Sequence, residues 1–548
     1  MNSFKPMLLT SLKSYDRAQF AKDVTAGIIV AIIALPLSIA LALASGVGPE
    51  AGIFTAIVAG FVISALGGSC VQIAGPTAAF ATIVAGIVAR DGLEGLMTAT
   101  ILAGVFLIIM GFCHFGSLIK FIPYTITTGF TSGIAVTIVI GQLKDFCGVT
   151  YPDGVKPIET MEKLKAFAEN FSTISPDALI VGGVSLAILI VSPLIFKKIP
   201  GSLIAVIVGI LMVQFLPLHV STIGNLYTIS NALPTLHLPV FDMKLIQSAI
   251  PNAFTIAVLA AIESLLSCVV ADGMINSKHR SDTELIAQGA GNIASALFGG
   301  IPATGAIART AANIKNGGRT PVAGMVHSIT LVIVLVVLMP FAGMIPMPTI
   351  AAILFLVAYN MCQWRTFVHL VRTAPKSDII VLFTTFVLTV VFDLVVAIEI
   401  GMVLACLLFI KRMSEETHAD SWVYVDDDSP AVDEHLQKLP LEIRVYEITG
   451  PLFFGAADAI EHIVVKDFTK CLVLRMRSVP TIDSTAMNAL QNLTKLCESK
   501  GITLVFSHVN EQPMKMMKKS GFVELVGEEN FCANISDALN HAEALISR

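Results

Sequence analysis

The chain has 548 residues, a mean hydropathy of +0.80 and only 14% charged residues. A soluble domain carries about 25%, so a single water-soluble globule is excluded, and a net charge of −5 gives no basis for binding nucleic acid. The charge is split: residues 1–412 hold 23 Lys and Arg against 19 Asp and Glu, whereas residues 413–548 hold 12 against 21. The first part reads as a membrane domain and the second as a soluble one.

Residues 1–22 are polar and lack an apolar core with a small-residue cleavage site, so they read as a cytoplasmic N-terminal segment rather than a signal peptide. The transport domain, 23–412, contains apolar runs near 24–44, 52–66, 76–89, 96–113, 124–142, 178–196, 201–217, 249–271, 285–298, 305–315, 321–340, 346–362, 378–392 and 395–410. These predict an all-α polytopic domain of about fourteen spans, seven per half. An odd number per half inverts the second half relative to the first. With the N-terminus inside, sixteen basic loop residues fall on the cytoplasmic side, Arg365, Arg372 and Lys376 among them, and six outside. That imbalance supports the count and puts both termini in the cytoplasm.

A linker, 413–438, contains Asp426-Asp427-Asp428. Beyond it, 439–548 reads as a small α/β domain. Strands are predicted at 441–449, 471–476 and 502–507, with helices at 456–465 and 484–498, the latter capped by Asp483 or Ser484. Nine scattered cysteines show no metal-type spacing, and no P-loop or GxGxxG appears, so no metal or cofactor is expected.

The third and tenth spans are too short to cross alone. Leu66-Gly67-Gly68 and Gly75-Pro76-Thr77-Ala78 precede one. Phe298-Gly299-Gly300 and Ala303-Thr304-Gly305-Ala306 precede the other. Broken helices survive at membrane depth only inside protein or along a cavity. A matched pair in two halves points to a transporter site at an inverted-repeat interface. The amides and positive dipole ends of two helix starts suit an anion. Thr77, Ala78, Gly305 and Ala306 are therefore the expected cradle. Glu263, an ionisable group inside the eighth span, is the candidate proton carrier. Arg309 supplies a fixed positive charge to the anion or balances Glu263. Pro36 is expected to kink the first span and bring Ser38 to the same cavity. Asp272, Lys278, His279, Arg280, Asp282 and Glu284 read as a solvated cytoplasmic loop with no transport role, Asp282 or Glu284 offering a cap to the ninth span.

Ala34-Leu35-Pro36-Leu37, Gly75-Pro76-Thr77, Val270-Ala271-Asp272-Gly273, Glu284-Leu285-Ile286-Ala287-Gln288-Gly289 and Gly317-Gly318-Arg319-Thr320 together resemble the SulP (sulfate permease) family of anion transporters. The C-terminal domain resembles that family's STAS domain. Its Asp483-Ser484-Thr485 matches a helix-start motif phosphorylated in related anti-sigma antagonists, which makes Ser484 a possible regulatory phosphosite. The resemblance implies a 7+7 inverted repeat, core and gate domains, elevator-like movement and homodimers. Sodium-coupled bicarbonate members have aspartate at the place of Glu263, threonine at the place of Ile307 and no arginine at the place of Arg309. Ile307 removes an oxygen ligand that a hard cation needs. Residues 306–313 with Glu263 look most like the family's bacterial C4-dicarboxylic acid transporter, implying proton-coupled uptake of succinate-like anions across the inner membrane. Sulfate or bicarbonate transport, an anion channel, and a membrane-tethered regulator with an unknown cytoplasmic partner are the alternatives. An enzyme is not expected.

Overall fold

The structure is a computed structural model that describes residues 5–117, 123–152, 155, 157–195, 200–239, 242–392, 394–421, 439–461, 463 and 468–547. The predicted Asp426–Asp428 triplet lies outside them, as do Lys120, Lys156, Lys197 and Lys198 of the basic loop residues. Two compact units result, 1–402 and 403–548.

The first unit is helical. Its elements are α1 (Met7–Ser11), α2 (Arg17–Ala44), α3 (Pro49–Leu66), β1 (Ala74–Gly75), α4 (Ala81–Phe112), α5 (Tyr124–Cys147), α6 (Thr160–Glu169), α7 (Pro176–Ile195), α8 (Gly201–Phe215) and α9 (Ile223–Leu226). Then follow α10 (Met243–Ile275), α11 (Ser281–Leu297), β2 (Thr304–Gly305), α12 (Ile307–Lys315), α13 (Val322–Ala342), α14 (Met347–Cys362), α15 (Trp364–Thr373), α16 (Lys376–Val391) and α17 (Leu394–Glu415), the last running past residue 402 into the second unit. Eight helical stretches among the described residues are long and apolar enough to cross a membrane. Each of the fourteen predicted runs coincides with helix. The third and fourth form one element, α4 with its 3-10 entry at Ala78–Phe80, broken at Gly92, whose φ of 70° favours glycine. α2 runs through Pro36 as one continuous helix. Asp16 caps α2 by accepting from the Gln19 amide.

The packing repeats between the halves. α2 lies on α13 as α10 lies on α4; α3 lies on α13 as α11 lies on α4; α5 lies on α16 as α7 lies on α14. This is the pattern an inverted repeat produces. α2–α4 and α10–α13 form one group, and α5, α7, α8, α14 and α16 a second. Small residues set the contact distances. A Cβ on Gly104 of α4 would sit 2.7 Å from the Gly289 carbonyl oxygen of α11, and one on Gly289 2.5 Å from that of Gly104.

The second unit is a five-stranded sheet in the order β3 (His418–Ser421), β4 (Ile443–Thr449), β5 (Cys471–Ser478), β6 (Thr503–Ser507) and β7 (Phe531–Cys532). β3 is antiparallel to β4, and the remaining pairs are parallel. α19 (Ser484–Ser499) packs its apolar face on one side of the sheet and α22 (Ile535–Ile546) on the other. Two expectations shift. The sheet reaches back into the predicted linker through β3. Within 456–465 the described helix is confined to α18 (Asp458–Glu461), and 462 and 464–467 lie outside the described residues.

Candidate functional site

The two chain breaks meet. β1 pairs antiparallel with β2, Ala74 opposite Gly305 and Gly75 opposite Thr304. The starts of the α4 and α12 half-helices are thereby brought together. The Ile73 amide donates to the Thr310 Oγ1 at 3.0 Å, and the Ala306 amide donates to the Ile73 carbonyl at 2.9 Å. Each repeat therefore holds the other's unwound segment.

α10 supplies the third wall. Its Ser264 hydroxyl meets Thr304 Oγ1 at 2.7 Å and accepts from the Gly305 amide at 3.0 Å. One residue earlier, the half-buried Glu263 accepts from the Thr77 hydroxyl at 3.0 Å. The structure thus joins the candidate proton carrier to the start of the first half-helix. It does not join Glu263 to Arg309: among the described residues no ion pair forms between them.

Arg309 is 1% exposed and does not line a surface. Its Nη2 donates to the Pro76 carbonyl at 3.1 Å and, at 3.4 Å, to the hydroxyl of Ser38, which is itself buried. Nε and Nη1 have no hydrogen-bond partner among the described residues. Glycine at 75 leaves the guanidinium its place, because a Cβ there would lie 2.3 Å from Nη1. Arg309 thus lies beneath the junction and fixes the Pro76 carbonyl.

The cradle amides also move. Those of Gly305 and Ala306 are occupied by Ser264 and Ile73, so the amides that α12 cannot satisfy internally begin at Ile307. α12 has no side-chain cap, and Ile307 and Ala308 are its exposed first residues. Ala78 is buried and Thr77 is half-buried at an equally uncapped start. A cleft of about 650 Å³ lies further along the first half-helix, lined by Thr82, Gly86 and Arg90 of α4, Thr137 of α5, Asn252 of α10 and Thr389 of α16.

Glu284 corrects the loop assignment. It is fully buried and accepts from the Gly68 amide (2.9 Å), the Ser69 amide (3.2 Å), Gln72 Nε2 (2.7 Å) and Gln288 Nε2 (2.9 Å). Asn292 grips the second break in the same manner, donating to the Ala303 carbonyl at 2.9 Å and accepting from its amide at 2.8 Å. Asn313 donates to the Val71 carbonyl at 2.9 Å. Asp23, also fully buried, binds the Arg319 amide at 2.8 Å and the Thr320 hydroxyl at 2.6 Å. These brackets were missed, yet a signal existed: Glu284, Gln288, Asn292 and Ser295 form a polar stripe at helical spacing on an otherwise apolar helix.

The comparison with known proteins decides the family. The "Sulfate permease family" model matches residues 20–385 and the "STAS domain" model residues 438–538. The chain belongs to the sulfate permease family. It is 38% identical to "Putative sulfate transporter YvdB" of Bacillus subtilis, over 95% of this chain and 97% of that one. It is 32% identical to "Bicarbonate transporter BicA" of Picosynechococcus, over 95% and 94%. The solved transmembrane domain of a cyanobacterial BicA aligns with a TM-score of 0.62 at 30% identity, covering 71% of this chain and 98% of that one. SLC26A9 aligns with a TM-score of 0.87 at 20% identity over 99% and 93% of the two chains, which establishes the shared fold. Membership makes the chain a multi-pass secondary anion transporter with a C-terminal STAS domain.

Proposed function

We propose that the chain imports anions together with protons, the anion lying against the starts of the two half-helices and Glu263 carrying the proton. The observation that carries this reading is the cross-repeat junction. Two uncapped helix starts meet over a buried arginine, with the Glu263 carboxyl hydrogen-bonded to one of them. Helix starts and a buried cation favour negative charge. A carboxyl group in the same place couples naturally to proton uptake. Ile307, exposed at the head of α12, offers no oxygen to a sodium ion.

We favour a C4-dicarboxylate as substrate, on residues 306–313 together with Glu263. Sulfate or bicarbonate is the second reading, supported by what the two relatives are named to transport. The same reading places the protein in a bacterial inner membrane as a homodimer with both termini cytoplasmic, one helix group moving against the other. Ser484, exposed at the first position of α19, is proposed as a phosphosite through which a cytoplasmic partner acts.

The test is uptake of labelled succinate into proteoliposomes with and without an inward proton gradient, competed by fumarate, sulfate and bicarbonate. Gradient-driven uptake blocked by fumarate is the expected result. Sulfate or bicarbonate uptake in its place would remove the dicarboxylate and keep the site. Uptake indifferent to the gradient would remove proton coupling.

A further inference from the structure

The helix α15 has no part in the anion site, and none of its residues is buried. It is a separate ten-residue helix because Gln363 (φ 44°) breaks the chain from α14 and Ala374-Pro375 precede α16. Laid out at 3.6 residues per turn, it shows three faces. Thr366, Phe367, Leu370 and Val371 turn inward, half-buried, with Phe367 edge-on to Phe383 at 5.6 Å and to Phe386 at 5.5 Å. Next come Trp364 and Val368, 45% and 37% exposed. Beyond them lie Arg372, Arg365 and His369, all exposed. The sequence around the helix therefore runs protein-facing, apolar, then basic.

An exposed apolar strip beside an arginine strip is the arrangement of a helix lying in the membrane interface. The ring of Trp364 is held by two contacts. Its Nε1 donates to the Tyr359 hydroxyl at 3.1 Å, and the Arg365 guanidinium stands 5.6 Å from its centroid. Aromatic rings with a polar tip collect at headgroup depth.

The repeat supplies an internal control. α6 follows the fifth span of the first half as α15 follows that of the second. In an inverted pair the two sit on opposite faces. In α6 Glu162 and Glu169 are balanced by Lys163 and Lys165, with Glu159 at its cap, whereas α15 contains two arginines, one histidine and no acid. Of two helices in matching places only α15 carries a net positive charge, the sign that suits the cytoplasmic side, where anionic lipid is concentrated.

We infer that α15 is an anionic-phospholipid site, with Trp364 and Val368 entering the acyl boundary and Arg365 and Arg372 binding the headgroup phosphate. The site pins the second helix group to the inner leaflet. The inference rests on the orientation proposed above, N-terminus inside.

The test uses the full-length chain with Trp422→Phe, which leaves Trp364 as the sole tryptophan, in proteoliposomes containing lipids brominated near the headgroup. Brominated phosphatidylglycerol should quench Trp364 more than brominated phosphatidylcholine does, and aqueous iodide should quench it little. Arg365→Gln and Arg372→Gln should each lower the phosphatidylglycerol preference about fivefold, while free inorganic phosphate leaves the quenching unchanged. Iodide quenching without bromolipid quenching would overturn the interfacial placement. Equal quenching by the two lipids, or a double variant that keeps the preference, would overturn the headgroup site. Orientation is read separately, from labelling of Thr373→Cys by an impermeant maleimide, above that of the parent with its nine native cysteines, in inside-out and right-side-out vesicles. Labelling from outside would remove the inner leaflet and leave the quenching result intact.

Discussion

Glu284 offers the sharpest test of how the breaks are held. Its Oε2 accepts two backbone amides, of Gly68 and Ser69, and its Oε1 accepts two carboxamides, of Gln72 and Gln288. Glu284→Ala leaves all four donors without an acceptor. The glutamine side chains can turn away, but the two amides are fixed in the chain. A stranded buried donor costs about 1–3 kcal/mol, so the pair costs roughly 2–6 kcal/mol. That is a large part of a typical folding free energy of about 5–15 kcal/mol. Glu284→Gln behaves differently. Its carbonyl oxygen can keep both amides, while its new N–H groups face the two glutamines. Gln288 Oε1 has no partner among the described residues, so turning that carboxamide supplies an acceptor; Gln72 Oε1 already accepts from Cys268 Sγ, so the Gln72 N–H group is the one donor that loses its partner. The expected ranking in thermal unfolding of the purified full-length protein is therefore parent, then Glu284→Gln close behind, then Glu284→Ala several degrees lower. An alanine variant that melts with the parent, or a glutamine variant as unstable as the alanine one, would refute the bracket.

Glu263→Gln keeps the size of the side chain and removes its titration, so succinate uptake should lose its dependence on pH; an unchanged pH profile would exclude Glu263 as the proton carrier. Arg309→Ala removes a buried charge and a charge-assisted bond to the Pro76 carbonyl worth about 1.5–3 kcal/mol, and anion affinity in a binding titration should fall at least tenfold. Intact affinity would reduce Arg309 to a brace between repeats. Asp483 caps α19 through the Ala486 amide at 2.9 Å and also accepts from the Phe454 amide at 2.9 Å. Asp483→Ala should cost about 1–2 kcal/mol, seen as faster hydrogen exchange at those two amides; unchanged exchange at both would contradict the cap.

The broken helices were legible because their signal is local. Glycine and proline punctuate an apolar run wherever it sits, and the repeat of that punctuation marked the two breaks that meet. The partners of the breaks were not local. β1 and β2 are two residues each, too short for any periodicity, and they pair across more than two hundred residues. Glu284 was placed in a solvated loop because a charge at the edge of an apolar run looks the same whether water or buried amides satisfy it. From sequence Arg309 reads as a fixed positive charge for the anion or a partner of Glu263. Its depth follows from the glycine at 75, a contact that spacing along the chain does not reveal. β3 escaped notice for a physical reason: His-Ala-Asp-Ser is an exposed edge strand, held by backbone pairing rather than by burial of alternate side chains.

The cross-repeat bonds bear on how transport proceeds. Thr77 belongs to the first repeat and its partner Glu263 to the second; Arg309 belongs to the second and its partner carbonyl, at Pro76, to the first. The same exchange recurs at Ala306 with Ile73, Asn313 with Val71 and Glu284 with Gly68 and Ser69. Opening the site by parting the two half-helices would break these bonds together, in a buried place where water cannot replace them. Moving α2–α4 and α10–α13 as one block against the second helix group breaks none of them. The geometry therefore argues for the block movement, in which an anion held at the junction and the Glu263 carboxyl would travel as a unit. In that arrangement the proposed proton coupling would need no relay between distant sites, because anion occupancy and protonation of Glu263 would alter the charge of the same moving body.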